Sequence, residues 1–443
     1  MTSSETVPLK GGAMEDPRLK GYRAFVYFMT FVAYAMSHFS RKSYTNVKKQ
    51  MKTDAGMTTE LFSRMDTGFM FAYAIGSFFS GQLGDRLRPT TVVAAGLIGS
   101  AACVMALVFG LWGDVVHENP IWANTYFLSA WLLHGLFQST GGPVNTAIMG
   151  AWFDSKNRGL VFGTWTCHQY MGNIIAAITA TAILAQGFAY WWVLVISAVA
   201  NLAWGVFLLM ALPSRPAEVG IEFGDAPKVA VGEVVNKDTK QLPPISFVQA
   251  FQIPAVAMYA LAFGFFKLVN YVLFFWLPFF LTRTFTPSQS NVISTLYDVG
   301  MMPGGIIVGY VSDLYGGRRA CVIVTFLLLL CPLLYVFSQY SDVIPVYALL
   351  VLLGFMGILV GGPNNIISSA VAADLADHPS IQGNNRAIGT VTGIINGSGS
   401  VTAAIGLLFI GDIQAAWGWS AVWYLLILST LLGCSLLAKT VYR

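Results

Sequence analysis

The amino-acid sequence predicts an all-α membrane protein with twelve transmembrane helices in two pseudo-symmetric halves of six. The first observation is composition, because 56% of the 443 residues are hydrophobic and only 10% are charged. Soluble globular domains carry about 25% charged residues, so that class is excluded. The second observation is a series of long apolar stretches, and the third is a pair of motifs that recurs in both halves.

Twelve apolar stretches are long enough to cross the roughly 30 Å hydrocarbon layer as helices. A polar, proline-containing segment separates the first six from the last six. We therefore expect an N-terminal tail at 1–20, a six-helix bundle at 21–212, a linker at 213–248 and a second bundle at 249–443. The predicted spans are 22–47, 61–84, 90–113, 121–151, 159–187, 189–212, 249–283, 289–313, 319–341, 344–374, 384–412 and 417–440.

Lysine and arginine lie mostly in the loops on one predicted face of the membrane. That face carries both termini and the linker and holds 17 of them, whereas the opposite loops hold five: Lys48, Lys49, Lys52, Arg64 and Arg283. Because cytoplasmic loops are enriched in Lys and Arg, we expect both termini and the linker in the cytoplasm. For the membrane we expect the endoplasmic reticulum, with the lysosome and the plasma membrane as alternatives.

Two motifs recur in the same order along the chain. GGPVN at 141–145 in span 4 is matched by GGPNN at 361–365 in span 10, an offset of 220 positions. Span 2 ends in GQLGDRLRP from Gly81, and span 8 ends in GYVSDLYGGRR from Gly309, an offset of 228. These matches indicate a duplicated six-helix unit. Duplicated halves around a central axis are typical of transporters, whose site lies near mid-membrane between the halves.

Lys267 is the only charged residue between Pro254 and Thr282, the segment that contains span 7. It lies near mid-membrane depth, where an ammonium costs from about 2.5 to more than 10 kcal/mol. Every Glu of the sequence falls in a tail, a loop or a helix end, and no Asp falls near the centre of a predicted span. We therefore expect the counter-ion of Lys267 to be the substrate, and the substrate to be an anion.

The repeat gives Lys267 a counterpart in span 1. Arg41 lies 226 positions earlier, so one cation from each half would meet at the pseudo-two-fold axis and bind a phosphate from both sides. The alternative is that Arg41 snorkels near the outer end of its helix. The repeat favours the site, and the adjacent Lys42 is then the snorkelling member of the pair.

Several segments resemble known transporters. GQLGDRLRP at 81–89, with its weaker copy at 309–319, resembles the cytoplasmic loop motif of the major facilitator superfamily. Other segments resemble the organophosphate:phosphate antiporters and, more narrowly, the eukaryotic sugar-phosphate exchangers of solute carrier family 37. They are SRKSYTNVK at 40–48, GLFQSTGGP at 135–143, RGLVFGTW at 158–165, FKLVNYVLFFWLP at 266–278, GGPNNIISSAVAADL at 361–375 and TVTGIINGSGS at 390–400.

The resemblance covers essentially all the spans and implies the major facilitator fold with a rocker-switch mechanism. It also implies that a helix-1 arginine and a helix-7 lysine or arginine bind phosphate, and Arg41 and Lys267 occupy these positions. Members of the family often carry a helix-5 histidine after an RG-x5-W motif. His168 follows Trp165 of that motif by three positions. The alternative for His168 is a hydrogen-bonded packing histidine.

Two departures from the family pattern bear on the substrate. The Gly-Trp-Pro expected in helix 4 is Gly141-Gly142-Pro143 here, so an aromatic ring that shapes the cavity is missing. Ser77 stands where the bacterial members have a second-helix lysine. The anion can therefore differ from glucose 6-phosphate and glycerol 3-phosphate.

Other polar residues are candidates for the same cavity. Gln138 lies one turn before Gly142 and is expected to hydrogen-bond either the substrate or a neighbouring helix. Asn270 and Tyr271 follow Lys267 by three and four positions, so they share its helix face. Helix packing is the alternative for both.

Charged residues near the helix ends indicate where the transport path could close on each side of the membrane. Asp66 and Asp298 occupy similar places near the outer ends of spans 2 and 8, where we expect gate-closing ion pairs or caps rather than proton carriers. On the cytoplasmic face we expect a conformational latch, although positive-inside anchoring explains its arginines equally well. The latch residues are Asp85, Arg86, Asp313, Arg318 and Arg319.

The leading functional hypothesis is exchange of a sugar phosphate or glycerol phosphate for inorganic phosphate by alternating access. One alternative is an ion-coupled symporter of another organic anion, which would want a titratable carboxylate deep in the core. The other is a transport-silent sensor or a subunit of a membrane complex. No metal constellation, nucleotide loop or nucleophile triad occurs in the sequence. We therefore expect no enzymatic activity, no cofactor and no nucleic-acid partner.

The charge bias predicts the accessibility of the linker. A cysteine introduced as Lys237→Cys should react with an impermeant maleimide only from the cytosolic side of sealed vesicles, because 17 basic residues share that face. The matched control, Lys49→Cys, should react only from the other side. Labelling of Lys237→Cys from the lumenal or extracellular side would overturn the predicted topology.

Overall fold

The computed structural model describes residues 16–113, 120–153, 158–221, 247–376 and 387–441. Within these ranges the chain is helical and contains no strand, which confirms the predicted all-α class. We number the long helices α1 to α12 after the predicted spans. Their bounds are α1 Leu19–Asn46, α2 Thr59–Arg86, α3 Pro89–Trp112, α4 Pro120–Gln138 with Gly141–Trp152, α5 Arg158–Trp165 with His168–Ala185, α6 Trp191–Ala211, α7 Val256–Leu281, α8 Pro287–Leu314, α9 Arg319–Tyr340, α10 Val346–Ile366, α11 Ala387–Leu408 and α12 Ile410–Val441.

Short helical segments connect or extend these helices. They are Lys48–Asp54 after α1, a 3-10 turn at Pro216–Val219, Phe247–Phe251 before α7, and a π turn at Ile367–Val371 with Ala372–Ala376 after α10. Among the described residues, seven helices are apolar and long enough to cross a membrane by length and composition alone: α3, α6, α7, α8, α9, α10 and α12. A turn divides α4 and another divides α5, so neither forms one long apolar helix.

Helix starts follow local sequence signals. α8 begins with a capping box, in which the Thr286 hydroxyl accepts from the Gln289 backbone N–H and the Gln289 side chain accepts from the Thr286 backbone N–H. Pro287 occupies the first turn, where its missing N–H costs nothing. Thr58 caps α2 by accepting from the Leu61 N–H.

The helix packing repeats between the two halves. In the first half α1 packs on α5, α2 on α4, and α3 on α6; in the second half α7 packs on α11, α8 on α10, and α9 on α12. The halves meet where α5 packs on α8, α2 on α11, and α1 on α7. The helices that carry Arg41 and Lys267, α1 and α7, therefore face each other at the centre of the molecule.

The contact between α8 and α10 depends on glycine. A Cβ at Gly300 would lie 2.0 Å from the carbonyl oxygen of Gly354, and one at Gly357 would lie 2.2 Å from that of Tyr297. Small residues at such positions let two helix backbones approach closely, and van der Waals packing then drives association within a bilayer.

The two halves are joined at the end of the bundle away from the chain termini. There the Thr181 hydroxyl donates to Ser288 O at 3.1 Å, and Asn291 Nδ2 donates to Asn46 O at 3.3 Å. Nearer the side of the termini, Asn365 Nδ2 on α10 donates to the Tyr170 hydroxyl on α5 at 3.4 Å. The structure is therefore closed at the end away from the termini.

The glycine contact predicts a difference between two similar substitutions. Gly300→Ala should lower the melting temperature of the purified protein by several degrees, since overpacking costs about 1–3 kcal/mol. Gly354→Ala is the matched control, because a Cβ there meets no atom closer than 4.0 Å. It should leave the melting temperature unchanged or slightly raised. Equal melting temperatures for both variants would contradict the close contact between α8 and α10.

Candidate functional site

Arg41 lies on α1 and is buried, with 6% of its surface exposed. Its Nε and Nη2 donate to Gln138 Oε1 at 3.1 and 3.0 Å. The guanidinium lies over the rings of Phe69 and Tyr73, 4.7 and 5.2 Å from their centroids. Among the described residues no carboxylate forms an ion pair with Arg41. Its positive charge is therefore held by neutral groups, and the snorkelling alternative is not observed.

Gln138 fixes the position of this guanidinium. Its Nε2 lies 2.8 Å from Ser37 O and 2.9 Å from Ser40 Oγ, both on α1, while its Oε1 accepts from Arg41. Both ends of the amide are thus engaged within the protein. The structure shows the helix-to-helix hydrogen bonding that was the alternative for this residue, and Gln138 acts here as a positioning residue for Arg41.

Lys267 on α7 is also buried, and no carboxylate of the described residues pairs with it. Its Nζ donates to Asn396 O at 3.1 Å and to Ser400 Oγ at 2.9 Å, both on α11. The ammonium lies 4.7 Å from the centroid of the Phe263 ring. In the described part of the chain Lys267 forms no ion pair. Neutral oxygen atoms and an aromatic face hold its charge, as they do for Arg41.

Tyrosine side chains connect the surroundings of the two cations. Tyr271 lies beside Ser400 and close to Arg41. Ser400 Oγ accepts a hydrogen bond from Lys267. The hydroxyl groups of Tyr34 and Tyr73 are 3.1 Å apart, and Arg41 lies over the Tyr73 ring. The structure therefore brings Arg41, Lys267 and Tyr271 to one polar, aromatic-walled region between the halves.

Asn270 and His168 do not contact Arg41 or Lys267 through any hydrogen bond between described residues. Asn270 Oδ1 accepts from the Tyr297 hydroxyl at 2.8 Å, so this atom serves the packing of α7 on α8. His168 is buried, with its ring 4.2 Å from Tyr34 and 4.5 Å from Trp165. Neither ring nitrogen of His168 has a hydrogen-bond partner among the described residues. The alternative of a hydrogen-bonded packing histidine is therefore not observed.

Two buried carboxylates near the closed end are already neutralised. Lys48 Nζ lies 2.6 Å from Asp66 Oδ2, and Lys42 Nζ lies 3.9 Å from Asp298 Oδ2. Asn173 Nδ2 also donates to Asp298 Oδ1 at 2.7 Å. The ion pairs expected of Asp66 and Asp298 are thus present. Neither carboxylate is left for Arg41 or Lys267.

The placement of Lys42 and Lys48 corrects the sequence-based expectations. Lys42 does not snorkel: it is fully buried and donates to Phe274 O, in the other half, at 2.9 Å. Lys48 is not a loop residue in water, because its Nζ lies 4.4 Å from the Trp276 ring and 5.5 Å from the Phe275 ring, both on α7. The aromatic faces and the Asp66 carboxylate stabilise the charge of Lys48 in the protein interior. Both lysines join the halves at the closed end.

The residues expected to form the latch lie at the end of the bundle that carries the termini. Their role as a latch remains a prediction. Arg319 forms an ion pair with Asp374, inside its own half. Arg86, Asp313 and Arg318 are exposed and form no ion pair with other described residues. The side chain of Asp85 lies outside the described residues.

Sequence reasoning missed several residues around the cations. Ser400 and the Asn396 carbonyl hold Lys267, while Phe69 and Tyr73 lie beneath Arg41. Ser400 belongs to a segment that supported the family resemblance, but its contact depends on how α11 is rotated against α7. Hydrophobic periodicity does not fix this rotation when a helix is apolar on every side.

Comparison with known proteins gives the family. The sequence model of the Major Facilitator Superfamily matches residues 30–380 and 270–443. Sugar phosphate exchanger 3 of Bos taurus is 35% identical, over 93% of this chain and 91% of its own length. Glucose-6-phosphate exchanger SLC37A2 of Xenopus laevis is 32% identical, over 95% of this chain and 93% of its own length.

Solved structures support the same fold. A bacterial homologue of the human lysosomal transporter Spinster, in an inward-facing and unoccupied conformation, superposes with a TM-score of 0.67 over 96% of this chain and 95% of its own, at 14% identity. The nucleoside transporter NupG gives a TM-score of 0.67 over 95% of this chain and 99% of its own, at 13% identity. The chain therefore belongs to the Major Facilitator Superfamily, in the group of the sugar phosphate exchangers.

Proposed function

We propose that this protein exchanges a phosphorylated small molecule, of the sugar phosphate or glycerol phosphate type, for inorganic phosphate by alternating access. One observation carries the proposal: Arg41 and Lys267, one from each half, are buried cations whose contacts among the described residues are all with neutral groups. The relatives named as sugar phosphate and glucose-6-phosphate exchangers support the same substrate class.

A phosphate group is the ligand that this arrangement fits. The planar guanidinium of Arg41 offers paired donors to phosphate oxygens, and the ammonium of Lys267 acts as a point charge. Taking a single ion out of water costs several kcal/mol in real proteins, and a paired opposite charge offsets this cost. An anion with about two negative charges would neutralise both cations at once.

Alternating access follows from the closed end of the bundle. To open that end, Lys42 must leave Asp298 and the Phe274 carbonyl, and Lys48 must leave the α7 rings. In our proposal both termini are cytoplasmic, so this conformation gives the cytoplasm access to the site. Closure of the cytoplasmic side would then bring together the latch residues at the ends of α2 and α8.

The symporter alternative is less well supported. A proton-coupled carrier needs a titratable carboxylate that faces the site, and the two buried carboxylates of the described helices are engaged by Lys48 and Lys42. Exchange requires no such group, because either anion can neutralise Arg41 and Lys267. An accessory membrane subunit is compatible with either mechanism.

Liposome transport tests the proposed function. Labelled glycerol 3-phosphate or glucose 6-phosphate should enter liposomes loaded with phosphate rapidly, and liposomes loaded with sulfate or no anion slowly. Arg41→Ala and Lys267→Ala should each lower this exchange at least 100-fold, because one cation then faces the anion alone. Arg41→Lys should also be impaired, since an ammonium lacks the two-donor fork.

Lys20→Ala is the control, because Lys20 is an exposed lysine at the terminal-side end of α1, and it should exchange like the unmodified protein. Helical circular dichroism and membrane insertion should be retained in all variants. Rapid uptake into anion-free liposomes that follows an imposed proton gradient would favour the symporter. Full exchange by both alanine variants would show that the central cations do not bind the substrate.

A further inference from the structure

Two buried histidines, His38 on α1 and His168 on α5, lie close to each other, and the proposed phosphate binding by Arg41 and Lys267 does not use them. His38 is on α1, three residues before Arg41, and its ring centroid lies 6.2 Å from that of His168 on α5. The exposed fractions are 8% for His38 and 2% for His168. Within the described ranges, Nδ1 of His38 and both ring nitrogens of His168 have no hydrogen-bond partner. Buried polar groups in folded proteins nearly always have a hydrogen-bond partner, so these unpaired nitrogens point to a ligand.

Aromatic rings surround this histidine pair. The Tyr34 ring lies 5.2 Å from His38 and 4.2 Å from His168, and the Trp165 ring lies 4.5 Å from His168. The Trp165 indole is fixed by a hydrogen bond to the Thr30 hydroxyl, at 3.1 Å. The group is continuous with the cation site, because the Tyr34 hydroxyl contacts that of Tyr73.

The chemistry of these rings differs from that of the two cations. A neutral imidazole carries one donor and one acceptor, whereas an ionised phosphate or carboxylate only accepts. A hydroxyl group donates and accepts, so it can pair with either nitrogen of an imidazole. Aromatic faces suit the apolar C–H surface of the same molecule. The histidine pair therefore matches a hydroxylated carbon chain or ring better than a second anionic group.

We propose that His38 is a specificity-determining residue that, together with His168, binds the hydroxyl groups of the organic part of the substrate. This inference rests on the proposed function, in which Arg41 and Lys267 hold the phosphate. The ligand is then a phosphate ester of a polyol, with hydroxyl groups that hydrogen-bond the unpaired nitrogens of the two imidazoles. A phosphate ester that carries a carboxylate at this place would lack a cation to pair with it.

The test compares two phosphate esters that differ only in hydroxyl groups: glycerol 3-phosphate and propyl phosphate. In phosphate-loaded liposomes the unmodified protein should show at least a tenfold lower KM for glycerol 3-phosphate. His38→Phe should reduce this preference to less than threefold, because phenylalanine fills the space but forms no hydrogen bond. His38→Asn keeps a donor and an acceptor, and should retain more of the preference than His38→Phe does.

The outcomes separate this inference from the proposed function. Equal KM values for the two esters in the unmodified protein would overturn the inference while phosphate exchange itself stands. The inference is also overturned if His38→Phe keeps the full preference for glycerol 3-phosphate over propyl phosphate. Absence of phosphate-driven exchange with any ester would instead overturn the proposed function. Where His38→Phe fails to fold, equal KM values for the two esters in the unmodified protein still overturn the inference.

Discussion

The proposed mechanism depends on two buried positive charges that form no ion pair with any other described residue. Arg41 is held by an amide oxygen and two aromatic rings, and Lys267 by a hydroxyl, a carbonyl and one ring. The carboxylates that could have neutralised them, Asp66 and Asp298, are paired with other lysines at the closed end. Because two other lysines nearby are paired, we infer that the charge of Arg41 and Lys267 is reserved for a mobile anion.

In our proposal, this constraint also governs the movement of the halves. Closing both ends around the empty site would remove the water that screens Arg41 from Lys267, at a desolvation cost of several kcal/mol per ion. A bound phosphate or phosphate ester removes most of that cost, so the loaded protein can pass between conformations in either direction. A barrier difference of about 4 kcal/mol would make exchange roughly a thousandfold faster than net flux.

Features that depend on a single helix could be predicted from the sequence, whereas contacts between helices could not. The length and apolarity of the spans predicted the helices, and the repeat offset predicted Arg41 as the counterpart of Lys267, which stays a prediction. The neighbours of these cations were not predictable, because they lie on other helices. Gln138 was recognised as polar, but its role in holding Arg41 depends on the rotation of α4 against α1. Lys48 lies in a polar sequence, and only the fold shows the α7 rings that bury it.

The most direct test of the central claim is the rate at which the empty protein changes conformation. Donor and acceptor dyes at Leu87→Cys and Tyr315→Cys would report the separation of the halves, since both positions are exposed at the terminal-side ends of α2 and α8. The five native cysteines would first be replaced. Single molecules in liposomes should switch about a thousandfold faster with saturating phosphate than without anion. In Lys267→Met, switching without anion should already be fast. Equal switching rates of the unmodified protein with and without phosphate would contradict control by the unpaired charges.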